Sequence, residues 1–470
     1  MVGKIDKVSF LVFSYNLIHG SRGALVGGYL FILLGCQLDM ETSPPAVPQY
    51  WYWDTCSVRN LLVRESPEPD SAWKNTLLPH RILLPDQAIW YAAKVKLVSN
   101  HYLLVDADDG AQVFFNGVQI PPTNGYYYQL PHSQDSVWLA IRVLNNAMFG
   151  GLREVKWIEK ENMDLVWDER NAVLEQLEEI YLTEQYRSDV FLPPDNFQLH
   201  AGRSTKFTVW GDSQGGWNKF QALCNLMLNI PRLEFSIGLG DLVSDGASTA
   251  QWFSFMTCLV PLIERRVKVF PLPGNHDYDG YYDDLIPHNY IRHILGKERP
   301  TYTCWTAGPA IFLALDPNGS FPLGLDADQY HWAMEKMNSK AWKQARWRFV
   351  LIHQPPYAQG WPGYQGDRFI RSFIDEHAEK DRIDFVLSGH CHDFEYLSKN
   401  YGNQRTNFII SGGGGGSLEP DENDREIKMD TVINIHHYLL FELDETKVNI
   451  SMFDEMNHLV WANRFPTPKP

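Results

Sequence analysis

The sequence predicts two folded domains, an all-β sandwich followed by a larger α/β domain. Three observations support this prediction. At 470 residues the chain is too long for one compact hydrophobic core. Between residues 50 and 157, short runs of alternating polarity are separated by turn residues, as in antiparallel sheets. From residue 197 onward, short apolar runs alternate with helical patterns, as in α/β domains.

The first domain is assigned to residues 50–157. Asn116-Gly117 lies between two apolar runs and predicts a tight hairpin, because such a turn needs positive φ at both central residues. An all-β sandwich follows, with strands at residues 91–98, 101–105, 113–115 and 137–143.

A helical linker and an α/β sandwich are predicted for the remainder. In residues 158–196, acidic and apolar side chains recur at helical spacing until Pro193-Pro194. The second domain is assigned to residues 197–470. Its predicted strands span residues 206–210, 233–239, 267–272, 310–315, 347–352, 385–387 and 407–410, with helices at 219–229 and 327–338 and closing edge strands at 438–443, 447–453 and 458–465.

Residues 1–36 have the pattern of an export signal. Lys4 and Lys7 accompany apolar runs that are too short to cross a bilayer comfortably. Leu33-Leu34-Gly35-Cys36 resembles a bacterial lipobox, in which the cysteine becomes lipid-modified. We expect export to the bacterial cell envelope, a lipid anchor at Cys36 and a proline-containing tether over residues 37–49. A signal cleaved elsewhere and an uncleaved anchor are the alternatives.

The charge balance argues against polyanionic partners. The 41 Lys and Arg residues are outnumbered by 57 Asp and Glu residues, which gives a net charge of −16. Such a surface does not attract nucleic acid or anionic lipid, so an anionic substrate must be drawn in locally.

The cysteines do not suggest a disulfide framework. Without Cys36 their number is odd, and no tight spacing is present. We expect Cys224, Cys258 and Cys304 to be buried free thiols. Cys391 should face away from its two histidine neighbours, because successive residues of an extended segment alternate in direction.

Five motifs at predicted strand ends carry residues that bind metals and transfer protons. In this order they resemble the calcineurin-like metallophosphoesterases, and the residues after His353 resemble the purple acid phosphatase branch. The motifs are Gly211-Asp212-Ser213-Gln214, Gly240-Asp241-Leu242-Val243, Gly274-Asn275-His276-Asp277, His353-Gln354-Pro355-Pro356-Tyr357 and Gly389-His390-Cys391-His392.

The resemblance implies an α/β sandwich of two mixed sheets flanked by helices, with two divalent metal ions. Mixed oxygen and nitrogen ligands suit first-row divalent ions. Asp241 would bridge the two ions. The remaining ligands would be Asp212, Gln214 and His392 at one ion, and Asn275, His353 and His390 at the other.

The resemblance also implies a mechanism. A hydroxide shared by the metals would attack phosphorus, and His276 would act as the general acid. Relatives often orient this histidine with an acidic residue three positions after the bridging aspartate. Ser244 stands there in this chain, so Asp245 is the candidate orienter.

Two departures from the family concern the metals. Ser244 also occupies the position of the tyrosinate that gives purple acid phosphatases their colour, and Gln214 replaces a histidine found in many metallophosphoesterases. A neutral amide oxygen favours harder ions. We therefore expect a colourless protein with manganese or iron(II), with magnesium and zinc as the alternatives.

Two stretches near the motifs are candidates for substrate contact. Trp361 and Tyr364 could line a leaving-group pocket and Arg368 could clamp phosphate, or the whole stretch could be a solvated loop. The glycine run 412–416 could bring backbone close to the cleft, or it could be a flexible surface loop.

The first domain has a resemblance of its own. Residues 107–117, with residues 139–143 downstream, resemble galactose-binding-like jelly rolls attached to glycoside hydrolases. The domain could contact carbohydrate, or it could serve only to pack against the second domain.

We therefore predict a metal-dependent phosphoesterase that acts on phosphomonoesters. A phosphodiesterase with the same metals is the first alternative. The second is a carbohydrate-binding surface lipoprotein with a non-catalytic phosphoesterase-like scaffold.

Overall fold

A computed structural model describes residues 47–467, except 49, 57–64, 86, 109, 124–126, 131–135, 146–148, 166–171, 173–189, 198–203, 279–286, 321–322 and 420–426. Residues 44–470 belong to one compact unit. The predicted signal segment 1–36 with Cys36 lies outside the described residues, as does most of the tether 37–49. Among the described residues, no helix has both the length and the apolar character that a membrane crossing requires.

The N-terminal region consists of antiparallel strands, as predicted. One sheet has the order β2-β1-β4-β9-β6-β7, a second has the order β11-β5-β8, and β10 pairs with β3. The strands are β1 Tyr50–Cys56, β2 Lys74–Leu77, β3 Ile82–Leu83, β4 Gln87–Lys96, β5 His101–Ala107, β6 Ala111–Phe115, β7 Val118–Ile120, β8 Tyr127–Tyr128, β9 Ser136–Asn145, β10 Phe149–Gly150 and β11 Leu152–Glu159.

A shared apolar core joins these sheets. It takes Trp51 and Tyr91 from the larger sheet and Val105 and Trp157 from the smaller one. The Asn116-Gly117 turn between β6 and β7 has φ of 47° and 85°, so the expected positive φ angles are present. Residues 160–165 after β11 are helical, and most of the predicted helical linker 158–196 lies outside the described residues.

Two mixed sheets are formed by residues 196–466, within the predicted second domain. The first has the order β15-β14-β13-β23-β24-β25 and the second has the order β12-β16-β17-β18-β19-β21-β20-β22. The strands are β12 Asn196–Phe197, β13 Thr205–Trp210, β14 Phe235–Gly238, β15 Lys268–Pro271, β16 Thr303–Ala307, β17 Ala310–Leu315, β18 Trp347–Ile352, β19 Phe385–Ser388, β20 Phe394–Tyr401, β21 Gln404–Ser411, β22 Thr431–Ile433, β23 His437–Leu443, β24 Lys447–Asp454 and β25 Leu459–Pro466.

Helices cover the outer faces of both sheets. Phe220 of the first helix and Phe255 of the second stack together beside Trp210 of β13. Trp342 and Ile370 pack against the outer face of the other sheet. The helices are α1 Trp217–Met227, α2 Thr249–Glu264, α3 His288–Tyr290 with a π turn Ile291–Leu295, α4 Ala327–Asn338, α5 Lys340–Gln344 and α6 Arg368–His377, and 3₁₀ turns span Asn275–Asp277 and Pro317–Gly319.

Stacked phenylalanines fill the space between the two sheets. Phe207 stacks on Phe235 and Phe441 within its own sheet, and its ring edge meets Phe312 and Phe349 of the opposite sheet. Close packing of this kind fixes the two layers relative to each other. The strand ends of both sheets are therefore held in a defined arrangement.

The predicted elements of the second domain agree with the structure in most places. The strands 310–315 and 347–352 and the helix 327–338 have the predicted bounds. The three closing strands were predicted to be edge strands. In the structure β23 pairs with β13 inside the sheet, and of the three closing strands only β25 lies at a sheet edge. Helix α2 was not predicted, since its apolar residues occupy most of its faces and Pro261 interrupts the helical pattern.

His437, at the start of β23, is a buried neutral imidazole. Its Nδ1 donates to the Ile435 carbonyl at 2.9 Å, and its Nε2 accepts from the Ser411 hydroxyl at 3.0 Å. Burial lowers the pKa of His437 to about 4.

We predict that His437 makes folding sensitive to acid. The unfolded chain protonates this residue near its ordinary pKa of 6.5, whereas the folded protein does so only near 4. Its contribution is therefore complete above pH 6.5 and is lost towards pH 4, by up to about 1.4 kcal/mol per pH unit. Urea unfolding of the chelator-treated protein across this range should show a shallower loss for His437→Gln. The exposed His331→Gln should keep the wild-type slope, and equal slopes for all three proteins would contradict the prediction.

Candidate metal centre

The predicted ligands follow the carboxyl ends of parallel strands from both sheets. Asp212, Asp241 and Asn275 come after β13, β14 and β15 in one sheet, and His353 and His390 come after β18 and β19 in the other. Residues that follow parallel strands meet at one edge of a sheet. The packing of the two sheets brings the two edges together.

The backbone turns sharply at three of these positions. Asp212, Asp241 and His390 have φ of 59°, 49° and 72°, in the left-handed region that side chains with a Cβ rarely occupy. Each such residue costs about 1–3 kcal/mol, and residues of this kind concentrate at functional sites. The fold thus accepts strain where the site requires a particular backbone direction.

The glycine before a ligand allows two motif loops to touch. A Cβ on Gly274 would overlap Oδ1 of Asp241, and a Cβ on Gly389 would lie 2.5 Å from Oδ2 of Asp212. A side chain at either position would push a carboxylate out of the site. The Gly-Asn and Gly-His dipeptides are therefore packing requirements.

The side chains form two groups that share one carboxylate. In each group the ligand atoms lie within 4.8 Å of one another. One group is Asp241, His353 and His390, and the other is Asp212, Asp241 and His392. The aspartates and histidines of the two predicted ligand sets fall into these separate groups, and Asp241 belongs to both.

Two histidines are held so that Nε2 faces the site. Nδ1 of His353 donates to the Leu239 carbonyl at 2.7 Å, and Nδ1 of His392 donates to the Ser417 carbonyl at 2.7 Å. A histidine whose Nδ1–H is occupied by a carbonyl presents the lone pair of Nε2, as metal-binding histidines do.

Two buried atoms show that the donor set fits metal ions. Oε1 of Gln214 and Nε2 of His390 have no hydrogen-bond partner among the described residues. Leaving such atoms unpaired is costly unless something else binds them. Carboxylate, amide and imidazole donors in this arrangement suit two first-row divalent ions.

The charges of the site compensate one another in the absence of metals. Burial would raise the pKa of Asp241, but His353, His276 and His390 outweigh it and hold this pKa well below its ordinary value. Burial would likewise lower the pKa of His353, yet Asp241, 3.2 Å from its Nε2, raises it to about 9. Asp241 and His353 thus stabilise each other's charged forms.

Asp277 ties two motif loops together, and the sequence analysis missed it. Its Oδ1 accepts from the backbone N–H groups of Leu242 and Val243 at 2.9 and 3.1 Å, and its Oδ2 accepts from that of Gly274 at 2.7 Å. Its position three residues after Gly274 is that of the acidic residue in a capping box, which was an available signal.

The imidazole of His276 is oriented by a backbone carbonyl. Its Nδ1 lies 3.1 Å from the Ser244 carbonyl, and its backbone N–H donates to Oδ1 of Asp241 at 2.9 Å. The Asp245 carboxylate instead accepts from the N–H of Ala247 at 3.0 Å, and burial raises its pKa to about 6. The prediction that Asp245 orients His276 is therefore wrong. The Ser244 carbonyl orients the imidazole, and Asp245 acts on it only through its charge.

The proposed substrate residues lie in different surroundings. The rings of Trp361 and Tyr364 are each 5.2 Å from the ring of His390. Arg368 is exposed at the start of α6, with its guanidinium 4.7 Å from the ring of Phe369. The aromatic pair thus borders the ligand set directly, whereas Arg368 stacks on a surface ring.

The glycine run 412–416 is packed against the first motif. The N–H groups of Gly414 and Gly416 donate to the carbonyls of Gly211 and Asp212, both at 2.8 Å. A Cβ on Gly412 would overlap the Cys391 carbonyl. The run is therefore a close-packed wall behind the ligands, and the alternative of a flexible surface loop is wrong.

Four cysteines in the described part of the chain are free thiols. Cys224, Cys258 and Cys391 are buried and Cys304 is half-buried. Cys391 packs with Ala358 in a small apolar cluster.

The calcineurin-like phosphoesterase family model matches residues 205–394. The chain carries a calcineurin-like phosphoesterase domain. The five motifs that suggested this resemblance all lie within the matched residues.

Two relatives extend the comparison. Purple acid phosphatase 22 of Arabidopsis thaliana is 23% identical over 221 residues, which cover 45% of this chain and 48% of that protein. The chain thus spans about half the length of this curated relative. A purple acid phosphatase from seeds of yellow lupin, Lupinus luteus, superposes with a TM-score of 0.51 at 11% identity, covering 81% of this chain and 72% of that one. At this identity the likeness shows a shared fold and nothing more.

We predict that Asp277→Asn weakens metal binding without unfolding the protein. The amide removes an acceptor from a set of three buried N–H groups, which costs about 1–3 kcal/mol. Because the two motif loops are then held less firmly, metal affinity should fall by about 10-fold or more, as it usually does when a supporting group is lost. Titration with Mn²⁺ and urea unfolding measure the two effects.

Asp454→Asn is the matched control. Oδ1 of Asp454 also accepts from backbone N–H groups, those of Met456 and His458, in the hairpin between β24 and β25. This variant should keep wild-type metal affinity. An Asp277→Asn protein with unchanged metal affinity would show that the hydrogen bonds of Asp277 do not support the metal ligands.

Proposed function

We propose that this protein is a phosphoesterase that uses two divalent metal ions. The observation that carries the proposal is the pair of ligand groups that share Asp241, with the backbone N–H of His276 donating to that same carboxylate. Asp212, Gln214, Asp241 and His392 would hold one ion, and Asp241, Asn275, His353 and His390 would hold the other. The family match over residues 205–394 supports this reading.

Each residue near the ions has a separate task. Bound metals would supply an activated hydroxide and neutralise charge on the phosphoryl oxygens. His276, with Nδ1 committed to the Ser244 carbonyl, has Nε2 available to give a proton to the leaving oxygen. Trp361 and Tyr364, beside His390, would border the leaving group. Arg368, whose guanidinium lies over the ring of Phe369, is the candidate residue for binding phosphate.

We propose phosphomonoesters as the substrates, with phosphodiesters as the alternative. Rates with 4-nitrophenyl phosphate and bis(4-nitrophenyl) phosphate, each with a panel of metals, separate the two. Higher kcat/KM for the diester would reject the monoester assignment, and no turnover of either ester with any metal would favour the non-catalytic scaffold.

We also propose that the protein is exported to a bacterial cell envelope and anchored at Cys36, with its first domain available for carbohydrate contact. The lipobox-like residues 33–36 and the jelly-roll-like turn pattern support these two points. Fatty-acid labelling that persists in Cys36→Ala would exclude the anchor. An absence of binding to a panel of polysaccharides would exclude the carbohydrate contact.

We predict that His276→Ala keeps the metals and loses turnover. The imidazole belongs to neither ligand group, so its removal should leave metal content unchanged while kcat falls by about 100-fold or more, the usual contribution of a general acid. Asp241→Asn is the comparison, because loss of the shared charged ligand should remove both metals. Metal analysis with kinetics tests both, and a metal-free His276→Ala would identify His276 as a ligand.

We predict that the protein is colourless and is reactivated after chelation by Mn²⁺ better than by Zn²⁺. Ser244 offers no phenolate, and Gln214 contributes a hard amide oxygen where an imidazole would favour zinc. Activity with each added metal and the visible absorption of the purified protein are the measurements. A charge-transfer band together with ferric iron would overturn this expectation.

A further inference from the structure

The loop between Asp241 and α2 holds His276 without a carboxylate. The acceptor for Nδ1 of His276 is the main-chain carbonyl of Ser244, 3.1 Å away. A carbonyl can direct an imidazole only if its own residue is fixed. The same residue is fixed from α2, because its N–H donates to Oε1 of Gln251 at 2.8 Å.

Contacts from α2 and α3 fix the loop further along, at a different residue. Nε1 of Trp252 and Nδ2 of Asn289 both donate to the Gly246 carbonyl at 2.8 Å. Neither bond reaches Ser244, whose backbone N–H is held by the side chain of Gln251. The path to the candidate acid is therefore short, from Gln251 through the backbone of Ser244 to the imidazole.

We infer that Gln251 is a positioning residue that sets the direction in which His276 presents Nε2 to the leaving group. The inference rests on the proposed function and concerns the same site. Gln251 is half-buried in the first turn of α2, and it belongs to neither ligand group. Its loss should therefore spare the metals and affect the proton donor.

The dependence of rate on the leaving group tests this inference. An alkoxide leaves poorly and needs the acid, whereas 4-nitrophenolate leaves with little help. In the full-length Mn²⁺-loaded protein, Gln251→Leu should lower kcat for 2-phenylethyl phosphate by roughly 10-fold or more and for 4-nitrophenyl phosphate by less than about 3-fold. Metal content and KM should stay close to wild type.

Two further variants separate positioning from general damage. Gln251→Glu keeps an oxygen that can accept from the Ser244 N–H, and it should restore the rate with the alkyl ester. Gln404→Leu is the control. Gln404 is a buried glutamine at the first residue of β21, and its Nε2 donates to the Ile383 carbonyl. This variant should leave the ratio of the two rates unchanged. Equal losses with both esters, loss of metal, or failure of Gln251→Glu to restore the rate would overturn the inference.

A metal-free measurement keeps the inference separate from the proposed function. In protein with ¹⁵N-labelled histidine, the Nδ1–H signal of His276 should be protected from exchange in wild type and lost in Gln251→Leu. If the loaded wild-type protein hydrolyses neither ester, the proposed function fails and this signal decides the inference. A protected Nδ1–H signal that persists in Gln251→Leu would contradict the inference that Gln251 positions His276.

Discussion

The carboxylate of Asp241 is the point on which the rest of the site depends. Oδ1 accepts from the backbone of His276 and lies 3.2 Å from Nε2 of His353, and Oδ2 faces Nε2 of Gln214 at 3.2 Å. Asp241 is almost fully buried, so its charge must be met by these neighbours. Three of the motif loops are thus fixed by one side chain, and a displacement of Asp241 would be felt in all of them.

Several features of the fold serve to keep that carboxylate in place. Its left-handed backbone conformation is tolerated because the surrounding loops leave no alternative position, with Gly274 packed directly against the carboxylate. Asp277 then secures the two residues that follow Asp241 through their N–H groups. The local strain is offset by the aromatic core between the sheets, which holds the strand ends rigid.

Much of this arrangement could be predicted from the sequence, because the predictive residues lie in short motifs. Apolar runs such as 310–315 and 347–352 identified strands, and polar residues directly after strands identified the ligand groups. The supporting contacts were harder to predict. Gln251 reaches Ser244 from a helix whose pattern is obscured by apolar residues on most faces, and a glycine run gives no indication of what it packs against. Such contacts depend on tertiary geometry and have no local period or spacing.

The predicted ligands come from both sheets, and this affects the stage of synthesis at which the site can form. Residues 212, 241 and 275 emerge from the ribosome long before residues 353, 390 and 392. The two sets meet only when the second sheet has packed against the first. Contacts between such distant segments form late, since the long intervening loop must first be closed. A nascent chain therefore cannot assemble either complete ligand group until β19 and the loop that follows it have been made.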